Sequence, residues 1–310
     1  MKLGRQTTLR ERISLTGFGV HSNAPVRMVI HPAEADSGVV FSRTGPEGEQ
    51  LIKARWTEVA NTELCTVLGR EATVSTVEHL LAAFSGLGLD NAMVEIDGPE
   101  VPIMDGSARQ FVDAVDQAGL IELSAPRRYI KVLKPVRVEQ GRAFSELRPA
   151  ERGLRLDVEI DFAGEVIGRQ KIGVDLSATA FRRDLAGART FGFLRDVERL
   201  WKAGFALGAS LDNTVAVDEQ RVINPGGLRF ENEFVRHKTL DAVGDLALGG
   251  APLIGAYRSF CGGHKTNVAV LEALFADRSA YEIIEAPRVR QASRSALKAA
   301  ALPAYSAEIN

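Results

Sequence analysis

One short stretch of this chain, residues 234–246, combines apolar side chains with a stripe of groups that can bind a metal ion. It reads Phe-Val-Arg-His-Lys-Thr-Leu-Asp-Ala-Val-Gly-Asp-Leu, which predicts a helix. Residues four apart lie on one face of a helix, so His237, Asp241 and Asp245 form one polar stripe. A helix this apolar is expected to be buried, where imidazole and carboxylate groups are costly unless they have a partner. A divalent metal ion is one such partner, and His-x-x-x-Asp is a spacing that suits it.

Two interpretations of His237 and Asp241 are open from these residues alone. One is a histidine paired with a carboxylate in an ordinary core, and the other is a pair of metal ligands. Two neighbours favour the second: Gly244 leaves room on the same face for an ion or substrate, and Lys238 adds a charge that attracts anions. Catalytic zinc typically has three protein ligands, and the third would be His79 from the other half of the chain.

His79 follows Glu78 in a second predicted helix, residues 75–84. Adjacent helix residues point about 100° apart, so Glu78 would approach an ion held by His79 from the side and act as a base. A structural alternative exists, because Ser75 and Glu78 also have the spacing of a capping box.

A glycine-rich segment, residues 262–267, carries His264. Glycine permits unusual backbone angles and a close approach to a ligand. Asp245 would orient and charge His264 if this loop folds back over the helix. The alternative, a surface histidine in a flexible loop, stays open.

An aromatic segment, residues 187–193, offers Thr190 as a hydrogen-bond donor and Phe191 as a ring for stacking. A plain structural turn is the alternative for this segment. The residues that follow, 194–217, are rich in apolar and small side chains, which predicts a core helix or, alternatively, the wall of an apolar groove.

The elements that must position these groups occur in blocks of strands and helices, which favours an α+β fold over a doubly wound sheet. Residues 26–34 and 38–43 resemble residues 143–151 and 153–160: each pair is a strand, a basic residue with Pro-Ala-Glu, and a second strand. We interpret this as one hairpin used twice. The sequence therefore predicts two similar domains, each a β-sheet layer with two main helices.

The seam between the domains is predicted near residues 123–128, where Ser and Pro follow the end of a helix at 108–118. The predicted divisions are a first domain at 1–124, a second at 129–285, and a tail at 286–310 that is expected to be partly disordered. The second domain is predicted to contain strands at 129–138, 143–148 and 154–161 and a helix at 178–185.

Composition excludes several classes of function. A chain of 310 residues with 45% hydrophobic and 25% charged residues is an ordinary globular protein of about two domains. The net charge of −2 argues against nucleic acid as a partner. The sequence contains no apolar run of about 18 residues and no apparent signal peptide, so we expect no transmembrane segment. We therefore predict a cytoplasmic protein whose cysteines, Cys65 and Cys261, are free thiols.

Five ordered motifs give the sequence a family resemblance. They lie at residues 16–21, 77–82, 188–193, 237–246 and 263–264. Together they resemble the bacterial UDP-3-O-acyl-N-acetylglucosamine deacetylases, the zinc enzymes that commit a pathway to lipid A, over residues 7–276. This resemblance implies two similar α+β domains packed face to face with the active site between them, and an acylated UDP-sugar as substrate.

The resemblance also implies a role for each candidate residue. His79, His237 and Asp241 match the zinc ligands, and Glu78 matches the general base that activates the attacking water. His264 matches the general acid, Asp245 the carboxylate that supports it, and Thr190 the group that stabilises the oxyanion. Phe191 and Lys238 match contacts to the sugar and phosphate. The residues that match the acyl passage are Leu194, Val197, Phe205 and Ala206, and those at the first-domain edge of the cleft are Val20 and His21.

Three questions stay open at this point. Two histidines and one aspartate suit both zinc and iron, so the ligands do not choose between Zn²⁺ and Fe²⁺. The same site would also serve an amidohydrolase acting on another acylated sugar. The alternative that is not an enzyme is a non-catalytic protein that binds a sugar nucleotide or lipid. A measurement of metal content would distinguish it from the zinc enzyme.

Overall fold

The computed structural model describes residues 4–45, 48–162 and 166–286. The tail predicted at 286–310 lies, apart from Ala286, outside the described residues. The strands are β1 (Arg5–Leu9), β2 (Ile13–Phe18), β3 (Pro25–Pro32), β4 (Val39–Gly45), β5 (Gly48–Lys53), β6 (Val59–Asn61), β7 (Val67–Gly69), β8 (Thr73–Val74), β9 (Ala92–Ile96), β10 (Leu120–Pro126), β11 (Arg128–Val132), β12 (Val136–Gln140), β13 (Ala143–Arg148), β14 (Leu154–Phe162), β15 (Gly168–Asp175), β16 (Phe191–Phe193), β17 (Val215–Val217), β18 (Leu253–Phe260) and β19 (Tyr281–Glu285). The α-helices are α1 (Glu78–Leu87), α2 (Arg109–Ala118), α3 (Ala178–Ala180), α4 (Val197–Lys202), α5 (Glu233–Ala247) and α6 (His264–Ala276).

The two halves of the chain repeat one topology. In the N-terminal half (β1–β10 with α1 and α2), five strands form a sheet in the order β2-β3-β9-β4-β5. In the C-terminal half (β11–β19 with α3–α6), the equivalent order is β12-β13-β18-β14-β15. The strands β1 and β10 pair in the first half, as β11 and β19 do in the second. The predicted α+β duplication is therefore confirmed.

The predicted hairpins are wrong. Strands β3 and β4 do not pair with each other, because β9 lies between them, antiparallel to β3 and parallel to β4. Strand β18 separates β13 from β14 in the same way. Local similarity identified the equivalent strands correctly, but each central strand comes from a position after the helix and was not part of the repeated motif.

Each half carries an insert at the same point, between its fifth strand and its first long helix. The N-terminal insert, residues 54–77, contains the small sheet β6-β7-β8. The C-terminal insert, residues 176–232, contains α3, α4 and the parallel pair β16 and β17. Each insert therefore leads directly into the N-terminus of a central helix, which is α1 in the first half and α5 in the second.

Several predicted boundaries differ from those observed. Helix α1 begins at Glu78, without a side-chain cap, so the proposed capping box from Ser75 to Glu78 is wrong. The strand predicted at 129–138 is divided into β11 and β12 around Pro135, which cannot donate a ladder hydrogen bond. The helix predicted at 178–185 is a short α-helical turn, α3, continued by a π-helix at Phe181–Leu185.

Helices α1 and α5 pack directly against each other, which brings the two halves together face to face. Most of both helices is buried, including the carboxyl groups of Glu78, Glu233, Asp241 and Asp245. The halves share one continuous apolar core. None of the helices in the described ranges has the length and apolar character that crossing a bilayer requires.

Gly244 of α5 packs directly against the backbone of Glu78, the first residue of α1. A Cβ atom at Gly244 would overlap the backbone carbonyl of Glu78. The prediction that Gly244 leaves room for an ion or substrate is therefore wrong, because the space is filled by the backbone of the neighbouring helix.

Replacing Gly244 with alanine should destabilise the protein. Alanine is favoured over glycine in a helix by about 1 kcal/mol, but here it must displace backbone rather than a flexible side chain. Overpacking of this kind typically costs about 1–3 kcal/mol, so we expect a net decrease in the free energy of unfolding, measured with urea. Gly226→Ala is the control, since nothing lies near its Cβ position. Equal stability of Gly244→Ala and the wild type would contradict the packing argument.

Candidate metal centre and its cavity

The packing of α1 on α5 assembles the three candidate ligands. His79 is the second residue of α1, while His237 and Asp241 lie one turn apart on α5. All three side chains are buried, and their ligand atoms lie within 4.8 Å of one another. Among the described residues this is the group whose geometry could hold a metal ion.

The distances between the three residues fit a metal ion. Asp241 Oδ1 lies 3.5 Å from His79 Nε2 and 3.4 Å from His237 Nε2. Two ligands about 2.0–2.1 Å from a tetrahedral zinc ion would be roughly 3.4 Å apart. Asp241 Oδ1 is buried without a hydrogen-bond partner among the described residues. An orphaned carboxylate oxygen between two imidazole nitrogens is costly unless a cation binds there.

Neighbouring groups orient the ligands. His237 Nδ1 is 3.1 Å from the carbonyl oxygen of Ala188, which favours the tautomer that leaves Nε2 free to bind a metal. Lys238 Nζ lies 2.7 Å from Asp241 Oδ2. Burial acts to raise the pKa of Asp241, but His237 and Lys238 outweigh it and hold that pKa well below its usual range. Asp241 is therefore a carboxylate at neutral pH.

Glu78 lies beside the centre as a buried carboxyl group. Its Oε2 accepts a hydrogen bond of 3.0 Å from the backbone N–H of Thr66, and its Oε1 is 3.8 Å from His264 Nε2. Burial raises the pKa of Glu78. A raised pKa brings a carboxylate closer to the range in which it accepts a proton efficiently at neutral pH.

His264 is a buried residue, not a surface histidine in a loop. It is the first residue of α6, and its Nδ1 lies 2.9 Å from Asp245 Oδ2. Asp245 also accepts hydrogen bonds from Asn267 Nδ2 at 2.8 Å and from Thr66 Oγ1 at 2.6 Å. Burial lowers the pKa of His264, but Asp245 and Glu78 together raise it to about 9. A cationic histidine at neutral pH can donate a proton.

A cavity of about 670 Å³ opens from this centre and is lined mostly by apolar side chains. The predicted residues that line it are Thr190, Phe191, Lys238, His21, Val20, Leu194, Val197 and Ala206. Phe205 is not among the lining residues, because its ring packs edge-on against His21 at a centroid distance of 5.4 Å.

The C-terminal insert forms much of this apolar wall. Part of the segment predicted as a core helix, residues 194–217, is the short helix α4, and the rest is largely irregular. Leu200 and Trp201 of α4 line the cavity together with Phe193, and Trp201 is 54% exposed. The alternative of a groove wall therefore describes this segment better than a core helix.

Three polar residues around the centre could not be identified from the sequence. Thr66 and Asn267 bind Asp245, and Glu100 organises residues near His21. Glu100 is buried and accepts hydrogen bonds from the backbone N–H groups of His21 and Ser22 and from the hydroxyls of Ser22 and Thr76. Its partners lie more than twenty residues away, so no local spacing could reveal them.

Replacing Glu100 with glutamine should loosen the edge of the cavity. Glutamine would place an NH2 group beside N–H and O–H donors that now share the Glu100 carboxylate. Losing a hydrogen bond to a charged group typically costs about 1.5–3 kcal/mol of stability. We expect faster amide hydrogen exchange at His21 and Ser22, measured by mass spectrometry. Glu95→Gln, on an exposed strand position, should leave this exchange unchanged. Unaltered protection in Glu100→Gln would contradict the assigned role.

Comparisons with known proteins agree with the geometry. The family model described as LpxC, UDP-3-O-acyl N-acetylglycosamine deacetylase, matches residues 6–276. A protein from Brucella ovis named UDP-3-O-acyl-N-acetylglucosamine deacetylase is 52% identical over 283 residues, or 91% of this chain and 99% of the relative. A Brucella melitensis protein of the same name is 51% identical over the same shares. This chain therefore belongs to the UDP-3-O-acyl N-acetylglycosamine deacetylase family.

Proposed function

We propose that this protein is a zinc-dependent deacetylase that acts on UDP-3-O-(3-hydroxyacyl)-N-acetylglucosamine in the committed step of lipid A biosynthesis. The products are acetate and the free amine of the acylated UDP-glucosamine. Family membership supports the reaction. The observation that carries the proposal is the unpartnered Asp241 oxygen between two imidazoles, beside Glu78 and His264 and at the end of an apolar cavity.

We assign the metal ligands to His79, His237 and Asp241. When bound there, zinc would supply a lowered pKa for the attacking water and polarisation of the acetyl carbonyl. The carbonyl of Ala188 supports this assignment by orienting His237. Iron is the alternative metal in cells, because the same ligand types suit both ions.

Four residues would then divide the work of amide hydrolysis. Glu78 takes a proton from water as the oxygen bonds to the acetyl carbon, and the hydroxyl of Thr190 donates to the oxyanion. His264 gives its proton to the nitrogen as the carbon–nitrogen bond breaks, and Asp245 holds the imidazole. His264, whose pKa is raised to about 9, carries a proton at neutral pH, and its Nε2 lies 3.8 Å from Glu78 Oε1, which supports separate roles for His264 as acid and Glu78 as base.

The shape of the cavity supports an acylated substrate. Its apolar wall, which includes Leu194, Val197 and Ala206, would hold the acyl chain. Phe191 and Lys238 would contact the sugar and phosphate, while Val20 and His21 border the cleft. Phe205 would not contact the substrate directly but would hold the ring of His21, against which it packs.

We further propose that the halves act as two domains, 1–124 and 129–285. The first would supply Glu78 and His79. The second would supply the ligands His237 and Asp241, the proposed acid His264 and the acyl passage. A cytoplasmic location is supported by the free thiols of Cys65 and Cys261, which suit a reducing compartment.

The direct test is an assay of acetate release from the acylated UDP-sugar, run across acyl-chain lengths. We expect equal amounts of acetate and free amine, and much weaker turnover of UDP-N-acetylglucosamine, which has no chain to fill the apolar cavity. Efficient deacetylation of another acylated sugar in preference to this one would change the substrate assignment. Binding without turnover would favour the non-catalytic alternative.

A further inference from the structure

Thr66 makes a pair of contacts that joins the two carboxylates of the proposed acid–base machinery. It lies between β6 and β7 in the N-terminal insert and is 0% exposed. Its backbone N–H donates to Glu78 Oε2 at 3.0 Å, and its Oγ1 donates to Asp245 Oδ1 at 2.6 Å. One residue therefore binds both the proposed base and the carboxylate that supports the proposed acid.

Each contact holds the carboxylate oxygen that faces away from His264. The other oxygen of each group faces the imidazole: Glu78 Oε1 lies 3.8 Å from Nε2, and Asp245 Oδ2 lies 2.9 Å from Nδ1. Fixing the far oxygens limits rotation of both carboxylates. Asn267 cannot replace Thr66, because it binds the same Asp245 oxygen that His264 uses.

The contact also crosses between the two halves of the chain. Thr66 and Glu78 belong to the N-terminal half, whereas Asp245 and His264 belong to the C-terminal half. The hydroxyl bond to Asp245 thus fixes the second half relative to the base. Hydrogen bonds to buried, charged groups are the strong ones, so this bond can hold the spacing of the pair.

We propose that Thr66 is a positioning residue for deacetylation, which sets the spacing between the proton acceptor Glu78 and the proton donor His264. This inference rests on the proposed function. Thr66 is not among the residues that line the cavity, so it would act through the two carboxylates without touching substrate. Its loss should therefore reduce kcat and leave KM and metal content nearly unchanged.

The test compares Thr66→Val with Thr66→Ser. Valine has nearly the same shape and keeps the backbone donor to Glu78, but it lacks the hydroxyl. A hydrogen bond to a charged group is strong enough that its loss should lower kcat by about 10- to 100-fold, with KM within about twofold of the wild type. Serine should restore most of kcat. Thr66→Ala, which also lacks the hydroxyl, takes the place of valine if that variant does not fold.

Thr8→Val is the matched control, since Thr8 is a buried threonine whose Oγ1 donates to the carbonyl of Asn91, and neither residue lines the cavity. It should keep the wild-type kcat. A double-mutant cycle adds a second readout: in an Asp245→Ala background, Thr66→Val should cause little further loss, because the acceptor is gone.

The outcomes separate the two proposals. Acetate release by the wild type is the reference, and its absence would contradict the proposed function itself. An active wild type with an unchanged kcat in Thr66→Val would overturn only the role of Thr66. Loss of kcat that serine does not restore, or equal losses from Thr66→Val with and without Asp245, would also overturn it.

Discussion

Replacing Glu78 with alanine should leave the metal in place and remove most of the turnover. Glu78 is not a ligand in the proposed centre, so His79, His237 and Asp241 keep their geometry. The variant loses the proposed acceptor of the proton from water, and such groups typically contribute about 100- to 10,000-fold to the rate. We expect a decrease of this size in kcat for acetate release, together with wild-type metal content by elemental analysis.

Glu146→Ala is a suitable control for this experiment. Glu146 is also a buried glutamate, but it pairs with Arg148 on β13 and does not line the cavity. Its loss should lower stability without a comparable loss of kcat. A fully active Glu78→Ala protein would overturn the mechanism, and loss of metal in Glu78→Ala would show that the carboxylate serves as a ligand.

His79→Ala and Asp241→Ala should instead lose metal and activity together. Each removes one of the three proposed ligands, and Asp241→Ala also leaves Lys238 without its close partner. Loss of an outer hydrogen-bonding partner alone typically costs about 10- to 100-fold in metal affinity or activity, so loss of a ligand should exceed that. Metal content after dialysis and acetate release should be measured on the same preparation.

His31→Ala provides the control for the ligand variants. The imidazole of His31 contacts the exposed Glu95 on the neighbouring strand β9. Removing it should change neither metal content nor kcat. If His79→Ala retained a full equivalent of metal with wild-type affinity, the proposed ligand set would be wrong.

Much of the centre follows from local spacing. His237 and Asp241 are four residues apart on a helix, and Glu78 adjoins His79, so each pair could be recognised within one segment. The family resemblance, which is confirmed, indicated that these segments contribute to one active site. The α+β duplication was also visible, because equivalent strands kept similar sequences at 26–34 and 143–151.

The rest depends on contacts between residues far apart in the chain. The hydroxyl of Thr66 meets Asp245 across 179 positions, and Glu100 meets Ser22 across 78. No periodicity encodes such pairs. Gly244 was misinterpreted for the same reason: whether an absent side chain leaves a cavity or admits a neighbouring backbone depends on the helix packed against it.

Removal and return of the metal tests the central claim most directly. The purified protein would be treated with a chelator, assayed for acetate release from the acylated UDP-sugar, and then titrated with zinc. We predict that activity is lost with the metal and returns in full at one equivalent of zinc, with no return in His79→Ala. Undiminished acetate release by the metal-free protein would contradict the account.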